Sequence, residues 1–178
     1  MSKNSKEREV FIHWIGPYSI KEETPSIYHN KSCLYQIYTD FVTYKSNCLI
    51  YIGSTNDITR RTNEHWNNWL KFYSNVHEAK WYFGFIVDMD KSKKKNELVY
   101  YDENELNENK LLENVEKLLI YGHIPPANSS SIGSYKPIGD DYLRIFNLGN
   151  FKDLLPELSS FYYADTEYKN IYDKIYSS

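Results

Sequence analysis

The sequence predicts one α+β domain, α/β in the broad sense, in which a small mixed or antiparallel sheet is flanked by helices. Three observations carry this. Short runs rich in apolar, β-branched and aromatic residues at 32–38, 48–52 and 80–87 read as three strands. Between and after them, apolar residues recur at helical spacing: Trp66, Trp69 and Phe72, then Leu111, Leu112, Val115, Leu118 and Leu119. The chain has 178 residues, which suits a single domain with room for a core.

Composition narrows the function classes. Tyrosine is abundant at 18, with four Trp and eight Phe. Aromatic rings bury large areas and also stack on bases, so this richness does not choose between a core and a nucleic-acid surface. The net charge of −3 argues against a protein that simply coats DNA, but leaves room for an enzyme that grips a few phosphates with local charge. Cys33 and Cys48 sit in strand-like contexts. Nothing requires them to form a disulfide, and no metal-ligand spacing includes them. No apolar run approaches a membrane span and no signal-peptide core opens the sequence, so a soluble cytoplasmic protein is expected.

The elements follow in order. Residues 1–9 are polar and charged, a frayed terminus. Val10–Ile15, closed by Gly16-Pro17, reads as an edge strand or a covering arm, with His13 a structural residue. Residues 18–30 read as a turn-rich connection. The run at 32–38 is the first convincing strand, and 39–47 is a loop. The run at 48–52 should pair antiparallel with it, because the connection is too short for a crossover helix. Tyr35 would then lie near Tyr51, where plain cross-strand packing would also account for the pair. Gly53 should end the second strand. Ser54, Thr55, Asn56 and Asp57 favour a turn and a helix cap.

A helix over about 57–73 places Arg61 and His65 one turn apart on the same face. A guanidinium, an imidazole and the nearby phenol could together receive a phosphate. The third strand is 80–87. Residues 88–96 read as a polar turn whose lysines, Lys91, Lys93, Lys94 and Lys95, are solvated, and 98–101 as a further strand pairing back. Acidic and Asn-rich residues at 102–109 supply a cap to the next helix. On that helix Glu116 points to the apolar side, while Glu113 lies beside Lys110 and Lys117. An inward carboxylate needs a partner, either a metal ion or Arg61. The helix should end near Tyr121-Gly122, since Pro125-Pro126 stops it, and Asn128 follows. Beyond a flexible connection at 129–134 come Leu143, Ile145, Phe146 and Leu148. A second set with helical spacing is Leu154, Leu155, Leu158, Phe161 and Tyr162. This tail could cover the core, form a dimer contact or read DNA.

Taken together these residues resemble the GIY-YIG nuclease superfamily. Tyr51-Ile52-Gly53 matches the second half of the namesake motif, and Cys33-Leu34-Tyr35, followed by Gln36-Ile37, matches a degraded first half with Cys33 in place of glycine. Arg61 and His65 match the helix arginine and the histidine one turn later. Glu116 matches the metal-binding glutamate, and Asn128 the asparagine that closes the core. Each motif is short, and the five occur in the right order over residues 32–128. Residues 1–31 are then an N-terminal arm and 129–178 a C-terminal extension.

The resemblance implies about three strands flanked by helices. It also implies metal-dependent hydrolysis of DNA phosphodiesters by a stand-alone, restriction-type endonuclease of bacterial or phage origin. Glu116 would hold Mg²⁺ or Mn²⁺. Arg61 would contact a phosphate oxygen and Tyr51 would orient phosphate or water. Tyr35 or His65 would take the proton of the attacking water, and Asn128 would brace the site. Cutting both strands with one centre suggests a homodimer on DNA. The rival expectation is a non-catalytic nucleic-acid-binding or partner-binding protein that keeps the fold.

Overall fold

Strand β2 (Cys33–Phe41) begins with seven consecutive buried residues, and β4 (Lys80–Val87) is buried at every position after Lys80. Strands covered on both faces lose the alternation of a half-exposed strand and belong in the middle of a sheet. The computed structural model describes residues 7–19, 31–41, 45–72, 79–107, 110–128 and 142–164, and places both strands internally.

The expected sheet of about three strands is overturned. Six strands form one mixed sheet, curled into half a barrel, in the order β3-β2-β4-β1-β5-β6. Here β1 is Glu7–Ser19, β3 is Lys45–Thr55, β5 is Tyr142–Gly149 and β6 is Glu157–Ser159. The β2–β3 hairpin is antiparallel, as its short connection requires, and β4 pairs antiparallel with β2.

The largest correction concerns β1. It is neither an edge strand nor a covering arm. It runs antiparallel to β4 on one side and parallel to β5 on the other. Val10, Ile12 and Trp14 point into the core while Phe11, His13 and Ile15 are half-buried on the opposite face. Strand β5 alternates in the same way. The extension therefore joins the core sheet through β5 and β6, and the helix expected over 154–162 is replaced by turns, strand β6 and one turn of helix, α5 (Phe161–Ala164).

Two layers of helix cover the sheet. Helix α4 (Leu111–His123) sends Leu111, Val115, Leu118 and Leu119 against Ile12, Trp14, Leu34, Ile52 and Ile145. Helix α1 (Ile58–Asn68) and Leu70 of the 3-10 turn Leu70–Phe72 cover Tyr35, Ile37, Trp81 and Phe83 on the other face, while Phe72, expected on that apolar face, is exposed. The acidic stretch before α4 does not cap it. Asp102 and Glu105 instead cap a separate helix, α3 (Glu103–Asn107), each side chain accepting the other's backbone N–H. Helix α4 starts after Lys110, which takes a left-handed conformation (φ 48°). The polar turn at 88–96 is a helix, α2 (Met89–Lys95), capped by Asp88. Residues 98–101 give only one isolated bridge, Val87 to Tyr100. Helix α4 ends at His123, one residue past the expected Tyr121-Gly122, and a Cβ on Gly122 would press on Leu158. Expectations for residues 1–6, 20–30, 42–44, 73, 129–134 and the Tyr162 side chain fall outside the described residues.

Internal placement of β1 depends on close approach. Trp14 and Gly84 are direct cross-strand partners, and a Cβ on Gly84 would sit 2.8 Å from three ring atoms of Trp14. The Trp14 ring is pinned in turn by its N–H bond to the Asn147 side chain, 2.7 Å. Gly84→Ala is therefore expected to lose about 1–3 kcal/mol of stability, the usual cost of overpacking a tight core. Urea denaturation checks this, and an unchanged midpoint would contradict the stated packing.

Candidate active site at the paired ends of β2 and β3

The register of the hairpin sets Tyr35 directly opposite Gly53. Strand β3 does not end at that glycine but continues to Thr55. The glycine is needed for space, not for a turn: a Cβ there would overlap the Tyr35 hydroxyl and approach the Tyr51 ring to 2.8 Å. The phenol of Tyr35 thus lies across bare backbone, stacked beside Tyr51 with ring centroids 5.9 Å apart.

Helix α1 brings the next groups. Thr55 and Asp57 make the turn into it, and Asp57 caps it by accepting the Arg60 N–H at 2.9 Å. Arg61 and His65 then face the sheet together. Arg61 donates its Nε–H to the Tyr35 oxygen at 2.9 Å, and His65 Nε2 lies 2.7 Å from the same oxygen. Arg61 also pairs with Glu64 at 3.1 Å and is one-third exposed. The other nitrogen of His65, Nδ1, accepts the indole N–H of Trp69 at 2.7 Å. Tyr51 packs edge-on against His65, centroids 4.8 Å apart.

Helix α4 supplies the carboxylate from the opposite face. Glu116 is half-buried and accepts the Ser54 hydroxyl. Ser54, next to Gly53 on the strand, points to the α4 side, so the strand end carries both halves of the site. Glu113 lies outward and exposed in an ion pair with Lys117, 2.6 Å. Asn128 stands behind β3. Its amide donates to the Ile52 carbonyl at 2.8 Å and accepts the Ile52 N–H at 2.9 Å, while Ala127 donates to Ile50. β3 is an edge strand, and this side chain occupies its open backbone groups as another strand would.

The structure thus gathers Tyr35, Tyr51, Arg61 and His65 into direct contact. It places Glu116 at the same strand end and Asn128 as a brace beneath. The expected partner of Glu116 was a metal or Arg61; its direct partner is Ser54. Sequence reasoning missed Ser54 and used Trp69 only as a packing residue. Nothing marked Ser54 beyond its place in a run of turn formers. Trp69 could have been found, because it is one helical turn beyond His65.

Burial disfavours charge on three groups of the site. Burial, reinforced by Tyr51, pushes the Tyr35 phenol well above its ordinary value, although Arg61 pulls the other way. Burial and the charge of Arg61 lower His65 to about 4. Burial raises Glu116 against the opposing pull of Ser54 and Arg61. A group that cannot easily charge in isolation becomes reactive when positive charge arrives beside it.

Among the described residues no cluster of three or more His, Cys, Asp or Glu side chains could cage a metal. One half-buried carboxylate whose charge is disfavoured suits a hard cation that takes most of its ligands from phosphate and water. No family model, curated protein or solved structure matches the chain.

Two outcomes follow from this geometry. Gly53→Ala should displace the Tyr35 phenol and lower stability by about 1–3 kcal/mol. Denaturation together with near-ultraviolet circular dichroism reads both effects, and a parental spectrum would refute the overlap. The second concerns acid. A histidine whose folded value lies below its unfolded one stabilises the fold above the unfolded value and loses that contribution as pH falls. For His65 the window runs from about 6.5 down to about 4, and the loss reaches up to ~3 kcal/mol. His13 and His123 are lowered by burial too, so the parent must be compared with His65→Asn. The variant should start less stable and lose less across that window.

Proposed function

We propose that the chain is a divalent-metal-dependent DNA endonuclease that hydrolyses phosphodiester bonds. The observation that carries this is the Tyr35 oxygen, held jointly by Arg61 and His65 over a glycine that leaves it room, with a half-buried glutamate at the same strand end. Guanidinium, imidazole, phenol and carboxylate are the groups that phosphate hydrolysis needs: charge, proton transfer and a hard-cation ligand. The resemblance of the motifs to GIY-YIG nucleases points the same way.

In this reading Arg61 exchanges Glu64 for a nonbridging phosphate oxygen, which a planar guanidinium grips with two donors. Tyr51 orients the phosphate or the attacking water. The Tyr35–His65 pair takes the proton of that water as its oxygen bonds to phosphorus and the bond to the departing sugar oxygen breaks. Glu116 would hold Mg²⁺ or Mn²⁺, which supplies Lewis-acid stabilisation of the developing negative charge when bound. Asn128 keeps the end of β3 rigid. One centre per chain implies that double-strand cuts come from a homodimer on DNA.

One observation favours a second reading. Tyr35 has no exposed surface, so a substrate must displace a covering side chain before water reaches its oxygen. Arg61, one-third exposed and held from outside by Glu64, is the side chain that a phosphate would draw away. If it does not move, the network is structural and the chain is a non-catalytic nucleic-acid-binding or partner-binding protein. Plasmid cleavage with Mg²⁺ and with chelator separates the two.

Paired carboxylate variants test the assignment. Glu116→Gln keeps the shape of the side chain and should abolish Mg²⁺-dependent cleavage while DNA still shifts in gels. It should also be more stable than the parent at about pH 8. A carboxyl group raised in the folded state costs stability as pH climbs through its folded value, and the amide does not titrate. Glu113→Gln removes only a solvated ion pair and should cut like the parent. The opposite pattern would end the metal assignment. Arg61→Ala should lose roughly 100- to 1000-fold in rate, with poor rescue by Arg61→Lys. Near-parental cutting by the alanine variant would remove Arg61 from the mechanism.

A further inference from the structure

We propose that Trp69 is a positioning residue that locks His65 in one tautomer, so that His65 serves Tyr35 as a hydrogen-bond donor and Tyr35 alone is the base. This assignment rests on the nuclease reading and decides between the two proton acceptors that reading leaves open.

An indole N–H can only donate. It meets His65 Nδ1 at 2.7 Å, so that nitrogen presents a lone pair and carries no proton. In a neutral imidazole the proton must then sit on Nε2, the atom 2.7 Å from the Tyr35 oxygen. Protonating His65 would set an N–H against the indole N–H, two donors face to face. The charged and titratable groups around the ring are Tyr35 from β2, Tyr51 from β3, and Arg61 and Glu64 from its own helix, with Trp81 of β4 contributing a neutral ring at 5.8 Å. Burial and Arg61 both oppose a positive imidazole.

The consequence falls on Tyr35. Its oxygen receives Nε–H from Arg61 and Nε2–H from His65, so two donors are already aimed where a phenolate charge would develop. Tyr35 first releases its own phenolic proton to solvent, and during hydrolysis the water's proton passes to the resulting phenolate. The water oxygen bonds to phosphorus, the phosphorus–oxygen bond to the leaving sugar breaks, and solvent protonates that oxygen. His65 gives up no proton and takes none. Trp69 reaches no reacting atom and acts through His65. A packing role alone would need only a flat ring in edge contact with His65, centroids 5.1 Å apart.

Trp69→Phe keeps a ring and removes the donor. Nitrogen-15 NMR of the full chain, labelled at histidine, reads the tautomer directly. In the parent, His65 should show a protonated Nε2 and a bare Nδ1 from neutral pH down to its titration. In Trp69→Phe both tautomers should appear, and His65 should titrate at least one pH unit higher. Plasmid cleavage should show kcat about 10-fold lower with KM for DNA unchanged, and the ascending limb of the pH profile, which reports deprotonation of the base, should move to higher pH, because Tyr35 loses part of a donor. A proton on Nδ1 in the parent would overturn the proposal whether or not the variant folds. So would a variant with the parental tautomer and pH profile. An active parent with the wrong tautomer removes Trp69 and leaves the nuclease reading standing. An inactive parent with the stated tautomer removes the nuclease reading, and the base assignment to Tyr35 with it.

Discussion

The phenol of Tyr35 lies across the backbone of Gly53, and the arrangement of the site depends on that overlap being possible. Tyr35 faces Gly53 only in the observed register, Cys33 with Thr55 through Ile37 with Tyr51. A slip of one residue would turn every side chain of the strand to the other face and put Ser54 or Ile52 opposite the ring. Two features guard the register. An irregularity after Ile37 separates the site end of the hairpin from its loop end, and Asn128 clamps both backbone groups of Ile52, one residue before the glycine. With the phenol fixed, Arg61 and His65 need only a helix starting at the correct distance, and the Thr55–Asp57 turn provides it.

Desolvation and charge compete at the Tyr35 oxygen, and desolvation wins in the free chain. One guanidinium, itself shared with Glu64, does not offset the burial of a phenol with another phenol stacked beside it. Burial on the other side of the strand likewise raises Glu116 above the ordinary carboxyl value. Each group would charge more readily with positive charge beside it, because the negative form would then gain a partner.

How much of this could be read from residues alone depends on the range of the interactions. The β2–β3 hairpin, β4, and the start of α1 are legible because strand runs, a short connection and Asp57 as a cap are local signals. The inward aim of Glu116 is legible from its place between Leu112 and Leu119. The break between α3 and α4 is less so, since it turns on the conformation of Lys110, which no composition rule assigns. The position of β1 is not legible at all. Its pattern shows a strand, but its neighbours are a strand some seventy residues away and another more than a hundred and thirty away, and no local period names them. Ser54 was hidden among turn formers because β3 continues through Gly53. The network among Tyr35, Arg61 and His65 was legible only as proximity; its hydrogen-bond directions come from Trp69.

The position of β1 has a consequence for how the molecule is made. Of the six strands it is translated first, and its parallel partner β5 comes far later, with Trp14 and Asn147 separated by 133 positions. Until β5 is available, one long backbone edge of β1 has no place in the sheet, and the ring of Trp14 lacks the side chain that anchors it. Such late closure over a long chain slows folding and lengthens the time that an apolar strand stays exposed to other chains. The polar and charged residues at the start of β1, Glu7, Arg8 and Glu9, then act as gatekeepers that make the waiting strand a poor template for aggregation.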